Sequence, residues 1–431
     1  MQSSKFRRLT ALLLSFIAGQ GSVQVLSLVS GLFLIRWLSV EAYAQYSVAF
    51  GFQSTLSMLI DLGFSGSIIA LVGDRGSDKA VVGNYIRSAK HFRNRLFAIL
   101  IPGAALAFPL VTFKQHWDWT TQLLLFVSII ASIFFQGWVS YYGAPLLIHR
   151  QLKPFYQPQI ISAFGRIVLC FSLYFLSALT SWTTAWVSSA VMALNGFLYR
   201  RATTNLMAEP SQSDPKLNRE MLRYLSPLIP GIIFTAFQGQ ISLLLITLFG
   251  QTQSIAEVAA LGRLGQLFFI LSAFNGVIVE PYIAKVPRQD LARRYFQILG
   301  GASVISIALC GIAFLFPDPL VWILGSKYQN LRVETGWIVA GACVNYVNGV
   351  MWTIHSARKW IYWWGTGLYI GLLLATQLIC VSFMTLNTTL NVIYFSLITT
   401  VAVTLVHIAN GVYGFIYGPR LTETYSASSE S

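Results

Sequence analysis

Residues 296–316 read FQILGGASVISIALCGIAFLF and contain no charged side chain. The hydrocarbon core of a bilayer is about 30 Å thick, and an α-helix of about 20 residues crosses it. Lipid offers the backbone no hydrogen-bonding partner, so an apolar run of this length has to satisfy its own N–H and C=O groups as a helix. The stretch therefore predicts a transmembrane helix.

The composition extends this prediction to the whole chain. Of the 431 residues, 55% are hydrophobic and only 10% are charged, and the mean hydropathy is +0.63. Soluble globular proteins carry about 25% charged residues, so water would not solvate a globule of this composition. The chain is predicted to be an all-α polytopic membrane protein.

Apolar runs long enough to cross a bilayer occur about twelve times along the chain. Six precede a polar stretch near the middle, at residues 11–38, 42–72, 96–113, 121–148, 155–179 and 183–199. Six follow it, at residues 225–249, 255–284, 296–316, 336–355, 363–384 and 391–416. Each run is predicted to be a transmembrane helix.

The lysines and arginines between these spans alternate in number from one loop to the next. If the N-terminus is cytoplasmic, 23 of the 29 basic residues lie on the cytoplasmic side and 3 on the opposite side, and Arg36, Arg166 and Arg263 lie in or beside spans. Short cytoplasmic loops of membrane proteins carry an excess of Lys and Arg. Both termini are therefore predicted to be cytoplasmic.

The same loops account for the net charge of +14. We interpret them as topology signals that lie against anionic lipid. Their charge is scattered over many short loops, which argues against nucleic-acid binding. A narrower hypothesis stays open, namely that the basic residues in 87–95 collect a phosphorylated lipid head group.

The longest polar stretch between spans, residues 200–223, divides the chain into two halves. We predict an N-terminal six-helix lobe over residues 1–208, a cytoplasmic linker over 209–221, a C-terminal six-helix lobe over 222–417 and a cytoplasmic tail over 418–431. Since each half contains an even number of spans, both halves have the same orientation, and any repeat between them is parallel.

Polar residues share one helical face in the first, second, seventh and eighth spans. Small residues account for many of these positions because they let membrane helices pack closely. Large amides fit that interpretation less well, since each of them needs several hydrogen-bonding partners. We therefore predict a water-filled central cavity, with five amides as candidate substrate contacts: Gln20, Gln24, Gln238, Gln240 and Gln266.

Charged residues inside the predicted spans are further candidates. A charge at the centre of a bilayer costs about 2.5–3.5 kcal/mol on insertion scales and marks a functional position by default. Arg166 either pairs with Asp61 or faces the cavity. Arg263 has no acidic residue nearby on its own helical face, and we expect it to face the cavity and bind an anion. Asp61 and Glu280 are candidates for coupling transport to an ion.

Nothing in the sequence indicates an enzyme or a metal site. It contains no ATP-binding P-loop, no HExxH motif and no nucleophile elbow, and its five histidines are dispersed. The four cysteines each lie in a predicted span without a CxxC or Cys/His pattern. No catalytic residue, metal ligand or resident cofactor is predicted, and the cysteines are expected to be packing residues.

Three short motifs resemble those of the polysaccharide flippases. The first outer loop reads IRWLSVEAYAQYS over residues 35–47, where that family has R-hydrophobic-L-S/G-x-E-x-Y/F-G-x-Y, with Ala44 in place of the usual glycine. The second span contains DLGFS over residues 61–65, which is similar to D-x-G-hydrophobic-S/T. After the ninth span, LGSKY over residues 324–328 resembles F/L-G-x-x-Y.

The resemblance implies a MATE-like fold of the multidrug/oligosaccharidyl-lipid/polysaccharide flippase superfamily. Such a fold has two six-helix lobes around a central cavity lined by helices one, two, seven and eight, the four helices with polar faces. The implied function is to flip a polyprenyl-diphosphate-linked oligosaccharide across a bacterial inner membrane for surface polysaccharide biosynthesis. Arg263 and Arg166 would attract the diphosphate or acidic sugars, and alternating access would need no ATP hydrolysis.

Two other functions stay open. A MATE-like drug or cation antiporter would favour an acidic, aromatic cavity. A membrane-bound polymerase or ligase of glycans would need a long outer loop, and the longest one, residues 317–335, is short. The flippase hypothesis predicts membrane lipids and the lipid-linked oligosaccharide as partners, together with a polysaccharide polymerase and glycosyltransferases. It allows coupling to H+ or Na+ and predicts no nucleic-acid partner.

Overall fold

The structure of the chain is a computed structural model. It describes residues 2–149, 151–208, 210, 214–226, 228–265, 268, 271–272, 275, 279–358, 360 and 362–429. These residues form helices joined by short turns, and none of them lies in a β-strand. The all-α prediction holds throughout this part of the chain.

Most of the helices coincide with predicted spans. The first seven are α1 (Gln2–Trp37), α2 (Val40–Asp61), α3 (Phe64–Val72), α4 (Lys79–Thr112), α5 (Trp119–Ile148), α6 (Leu152–Phe175) and α7 (Ser181–Thr203). Four shorter helices follow, α8 (Pro215–Leu225), α9 (Ile229–Gln238), α10 (Ile241–Phe249) and α11 (Thr252–Gly265). The last six are α12 (Glu280–Lys285), α13 (Arg288–Leu315), α14 (Pro317–Leu324), α15 (Arg332–Ala357), α16 (Trp363–Phe383) and α17 (Thr389–Ser429).

Eight of the described helices are long and apolar enough to cross a membrane by themselves. They are α1, α4, α5, α6, α13, α15, α16 and α17. The pair α9 and α10 makes a ninth candidate span, bent by 50° at the break between its two helices. The three remaining predicted spans correspond to α2 with α3, to α7, and to the region that begins with α11.

The predicted second span is a broken helix. Between α2 and α3, Leu62 and Gly63 have φ angles of 40° and 83°, a region that glycine adopts without steric cost and other residues rarely enter. The Oγ of Ser65 donates a hydrogen bond to the Asp61 carboxylate across this break. The DLGFS motif therefore marks the point where the helix is interrupted.

The first outer motif forms the corner between α1 and α2. The Oγ of Ser39 accepts a hydrogen bond from the backbone N–H of Ala42 at 3.1 Å and so caps the start of α2. Such a cap stabilises a helix by about 1 kcal/mol. Leu38 and Tyr43, on either side of the cap, are fully buried. The motif thus specifies a tight, well-packed turn.

Small residues bring α5 and α7 together. The hydroxyl oxygens of Ser132 and Ser189 lie 2.7 Å apart, and Ser189 also donates to the Ser128 carbonyl at 2.9 Å. A Cβ on Gly196 of α7 would come within 2.8 Å of the Cβ of Trp138 in α5. Close approach through Ser and Gly is a usual way in which membrane helices associate.

The contacts of the chain divide it into two compact units, Met1–Ala256 and Glu257–Ser431. The predicted linker at residues 209–221 contains the start of α8, which packs within the first unit. Met221 and Leu225 of α8 are buried in an apolar cluster with residues of α3, α4 and α5. The Tyr85 hydroxyl of α4 also donates to the Glu220 carboxylate at 3.0 Å. The division into two six-helix lobes, joined by a linker at residues 209–221, stays a prediction.

In the second unit, α15 contacts α12, α13, α14 and α17. Asn348 of α15 donates to the Thr400 carbonyl of α17 at 3.0 Å. The motif LGSKY follows α14: Gly325 has a φ of 101°, which favours glycine, and Tyr328 is fully buried. The four cysteines of the chain are free, and Cys310 alone among them is not fully buried, which agrees with a packing role.

Candidate functional site

Arg166 lies inside α6 among mainly apolar residues. Its Nη2 donates to the Tyr46 hydroxyl of α2 at 2.5 Å, and its Cζ lies 6.0 Å from the centre of the same ring. Its Nε is buried and has no hydrogen-bonding partner among the described residues. Since a tyrosine hydroxyl does not neutralise a guanidinium, no carboxylate that the structure describes compensates this charge.

Asp61 is half-buried at the end of α2, and its carboxylate accepts the hydrogen bond from Ser65. Within the described part of the chain it forms no ion pair with Arg166. Of the two hypotheses for Arg166, pairing with Asp61 therefore finds no support. The alternative, that Arg166 faces a cavity, stays a prediction.

Gln20 and Gln24 lie one turn apart on α1, and both are half-buried. Here α1 packs along α6, and the Tyr156 ring covers Gly19 so closely that a Cβ on this glycine would overlap it. Among the side chains that the structure describes, neither glutamine has a hydrogen-bonding partner. Each amide offers two donors and an acceptor, so both can bind a polar ligand.

Gln238 and Gln240 flank the break between α9 and α10 and are half-buried. The Oε1 of Gln240 approaches α2, where a Cβ on Gly51 would lie within 3.0 Å of it. Interrupted membrane helices leave backbone groups that need new partners and are often found where polar ligands bind. The break thus places both amides where a polar ligand is expected.

The other predicted site residues lie in the region that begins with α11. Arg263 is half-buried in the last turn of α11, and Glu280 is the exposed first residue of α12. Gln266 lies outside the described residues. Arg263 and Glu280 therefore belong to opposite parts of the predicted eighth span, residues 255–284.

A buried carboxylate of this span was not among the site residues predicted from the sequence. Glu257 of α11 is 8% exposed, and its Oε2 accepts a hydrogen bond from the Thr389 hydroxyl of α17 at 2.5 Å. Both residues belong to the second unit. The rule that a charge inside a span is a functional candidate would have identified Glu257.

Two buried histidines of the second unit were also missed, because they are far apart in sequence. His355 of α15 is 1% exposed, and its Nε2 lies 3.2 Å from the Tyr295 hydroxyl. The His407 ring of α17 lies 6.0 Å from the His355 ring, centre to centre. Only the packing of α15 on α17 brings the two imidazoles together.

A basic cavity of about 330 Å³ lies between α4, α5 and α7 in the first unit. Four cations line it: Arg87, Lys90, Arg93 and Arg200. Residues 87–95 were predicted to lie in a loop, and this was wrong, because α4 is already helical from Lys79 onward. A helix carries its cations on defined faces, which a charged loop would not.

No protein-family profile matches the sequence, and no curated protein matches it. Solved structures match its fold. An inward-facing multidrug resistance MATE family transporter of the MOP superfamily has a TM-score of 0.67 and 13% identity, covering 93% of this chain and 96% of its own. An outward-facing transporter of that description has a TM-score of 0.58 and 13% identity, covering 96% of each chain. A Vibrio cholerae MATE transporter in the bent form has a TM-score of 0.55 and 12% identity, covering 95% of this chain and 97% of its own.

These likenesses confirm the predicted fold, an all-α MATE-like membrane fold with about twelve transmembrane helices. The chain is a multi-pass membrane protein, and the neighbours that share its fold are transporters rather than enzymes. The finer resemblance, to polysaccharide flippases, stays a prediction.

Proposed function

We propose that the protein is a transporter that flips a polyprenyl-diphosphate-linked oligosaccharide across the bacterial inner membrane for surface polysaccharide biosynthesis. MATE transporters with this fold have been captured in inward-facing and outward-facing conformations. A fold that alternates between such states moves its cargo without opening a continuous pore. The shared fold thus supports transport by alternating access.

The observation that carries the choice of cargo is the uncompensated charge of Arg166. A charge at mid-bilayer costs about 2.5–3.5 kcal/mol on insertion scales, and no described carboxylate offsets this cost. An anionic cargo would offset it. Guanidinium binds phosphate oxygens in a bidentate geometry, so a lipid diphosphate suits Arg166, with Arg263 as the second cation of the proposed path.

The sugar needs hydrogen bonds that hydrocarbon does not provide. We infer that the amides of Gln20 and Gln24 exchange hydrogen bonds with sugar hydroxyls. Gln238, Gln240 and Gln266 complete the proposed set. The lipid tail stays in the bilayer throughout, so the polar path has to accommodate only the head group.

Repeated transport in one direction needs a source of energy, and the chain has no ATP-binding P-loop. We infer coupling to H+ or Na+, with Asp61 and Glu280 as candidates. Asp61 is the better placed of the two, because its carboxylate bridges the break between α2 and α3. Neutralising it would weaken that bridge and so change the stiffness of the break.

The proposal places both termini in the cytoplasm, on the side with most of the basic residues. Glycosyltransferases that build the lipid-linked repeat unit would supply the cargo on that side. A polysaccharide polymerase would consume it on the other side. Membrane lipids surround the protein throughout.

The test replaces the two arginines in the full-length protein. Arg166→Ala and Arg263→Ala should each abolish export of the surface polysaccharide, measured on whole cells, while the protein remains in the membrane fraction. Arg332→Ala is the matched control, because Arg332 forms an exposed ion pair with Asp318 at 2.9 Å outside the predicted spans. Unchanged export in both test variants would remove the arginines, and the anionic cargo, from the mechanism.

A drug or cation antiporter is the second candidate, and the buried Glu257 favours it. A carboxylate in an apolar span suits a cationic cargo, and two of the structural neighbours are multidrug resistance transporters. Efflux of a fluorescent cationic dye from expressing cells tests this function, with Glu257→Gln as the inactivating variant. Efflux that requires Glu257, combined with normal polysaccharide export in the arginine variants, would establish the antiporter instead.

A further inference from the structure

The basic cavity between α4, α5 and α7 lies on helices outside the predicted transport path, which follows the first, second, seventh and eighth spans. α4 has 34 residues, so it is about 51 Å long at 1.5 Å per residue, well over the roughly 30 Å of hydrocarbon. The cavity residues Arg87, Lys90 and Arg93 precede the predicted third span. They are therefore expected at the level of the lipid head groups, on the predicted cytoplasmic side.

Arg93 is the innermost cation of this cavity and is 3% exposed. Its Nη2 donates to the Ile133 carbonyl at 2.6 Å, and its Cζ lies 5.6 Å from the centre of the Tyr141 ring. Its Nη1 is buried and has no hydrogen-bonding partner among the described residues. Burying a charge with an unused donor is unfavourable unless a ligand supplies the missing acceptor.

Gly137 of α5 provides the space for this guanidinium. A Cβ at this position would overlap Nη1 of Arg93 and would lie 2.8 Å from its Cζ. Any larger residue would therefore displace the group from its place. The glycine therefore leaves room for the Arg93 guanidinium.

Aromatic rings orient two more of the cations. The Nζ of Lys90 donates to the Tyr142 hydroxyl at 2.8 Å and lies 4.5 Å from the centre of that ring. The Cζ of Arg200 lies 5.4 Å from the centre of the Trp138 ring. Cation–π contacts of this kind hold a charged side chain in place. Three of the four cations, Arg93, Lys90 and Arg200, are thus held by contacts within the protein.

None of the described residues that line the cavity is acidic. Asp61 is close enough to Tyr141 to act on it electrostatically, but it does not line the cavity and it accepts a hydrogen bond from Ser65. A cavity with four cations and no acidic side chain in its described lining attracts an anion with several oxygen acceptors. Phosphate is such an anion, and basic pockets between membrane helices on the cytoplasmic side are suited to phosphorylated lipid head groups.

We propose that this cavity binds the phosphate group of a lipid from the cytoplasmic leaflet. Phe97 and Phe134 also line it, and Phe134 is 48% exposed, so an acyl chain leaving the cavity would meet an apolar surface. A soluble phosphate ester shares the chemistry of the head group but cannot use this surface. This lipid site does not depend on whether the transported cargo is an oligosaccharide.

Binding is measured by isothermal titration of the purified full-length protein, in an uncharged detergent, with dihexanoyl phosphatidic acid. The double variant Arg87→Gln/Lys90→Gln should bind the probe at least about ten-fold more weakly, since charge-assisted hydrogen bonds to phosphate are strong. The double variant Arg95→Gln/Arg201→Gln removes two charges from α4 and α7 outside the cavity. This control should change the affinity by less than about two-fold, because salt screens exposed charges.

Equal weakening in the two double variants would mean that surface charge alone attracts the probe, and the proposal would be overturned. Inorganic phosphate binding as tightly as the lipid would overturn the lipid source of the anion. Dihexanoyl phosphatidylcholine, which has no net charge, should bind at least about ten-fold more weakly than phosphatidic acid if the cations carry the recognition. Equal affinity for both lipids would contradict the proposal.

Gly137→Ala tests the geometry without changing any charge. The added methyl group displaces the Arg93 guanidinium, so the affinity for phosphatidic acid should fall several-fold while the melting curve of the lipid-free protein stays cooperative. Because this variant retains all four cations, a loss of affinity cannot come from a lower net charge. Full affinity in Gly137→Ala would show that the position of Arg93 is irrelevant, and the proposed site would be wrong.

Discussion

The two compact units bury different kinds of ionisable side chain. Among the described residues of the first unit the fully buried one is Arg93, which has no carboxylate partner there, whereas Arg166 is half-buried, as is Arg263 of the second unit. In the second unit the buried ones are Glu257, His355 and His407, each at most 9% exposed. Arginine stays charged at any physiological pH, whereas histidine is the side chain whose ordinary charge change falls near that range.

This difference assigns different physical tasks to the two units. A fixed positive charge does not change across the physiological pH range, so by itself it cannot report a proton gradient. A buried group that titrates changes its local interactions when it is protonated. We therefore expect anion recognition to depend on the arginines, Arg93 and Arg166 of the first unit and Arg263 of the second, and any proton-linked change to depend on the buried histidines of the second unit. Asp61 is an exception to this division, because it is a candidate for ion coupling and lies in the first unit.

The largest effect is expected at Arg166, where a fixed charge meets the proposed cargo. Arg166→Ala should abolish flipping of a fluorescent lipid-linked oligosaccharide in proteoliposomes. Arg166→Lys keeps the charge but loses the planar fork, so its rate should fall about ten-fold, the loss expected from one charge-assisted hydrogen bond. If the lysine variant matches the parent protein, charge alone matters and bidentate recognition at this position is excluded.

The second largest effect is expected on the stability of the second unit. Glu257→Ala removes the acceptor of the Thr389 hydroxyl and leaves a cavity, so the free energy of unfolding should fall by about 3 kcal/mol. Glu257→Gln keeps an amide oxygen as acceptor, and its loss should be about 1 kcal/mol. Unfolding of the purified protein by a denaturing detergent measures both values. Equal losses in the two variants would show that the contact with Thr389 does not hold this side chain.

Hydropathy predicted the helices well and their interruptions poorly. Residues 42–72 were predicted to form one continuous span, yet α2 ends at Asp61 and α3 starts two residues after Leu62. A hydropathy window sums side chains, whereas the break depends on the positive φ of Leu62 and Gly63. The DLGFS motif contains both residues of the break, but its resemblance to a family predicted no interruption. Conversely, the charged residues 87–95 were predicted to form a loop. They belong to α4, which is helical from Lys79 to Thr112.

The candidate site could be predicted as a set of residues but not as a set of contacts. Composition identified Arg166 and the amides, because polar groups in apolar runs are rare. It could not identify Tyr46 as the partner of Arg166, since the two residues are 120 positions apart. For the same reason, the histidine pair of the second unit became visible only when the helices were packed, as did the approach of Arg200 to the cations of residues 87–95. Long-range packing, rather than local pattern, brings these groups together.

The smallest effect is expected at Arg93, and it gives the sharpest contrast with Glu257. In the lipid-free protein, Arg93→Met should change the free energy of unfolding by less than about 1 kcal/mol, because removing a buried, incompletely paired charge offsets the lost hydrogen bond to Ile133. Dihexanoyl phosphatidic acid should raise the melting temperature of the parent protein by binding its folded state, and it should leave the variant unchanged. A large loss of stability in the lipid-free variant would show that Arg93 serves the fold itself. Arg93 would then stabilise the first unit as Glu257 stabilises the second. The proposed contrast, between an arginine that binds a ligand and a carboxylate that stabilises the fold, would be wrong.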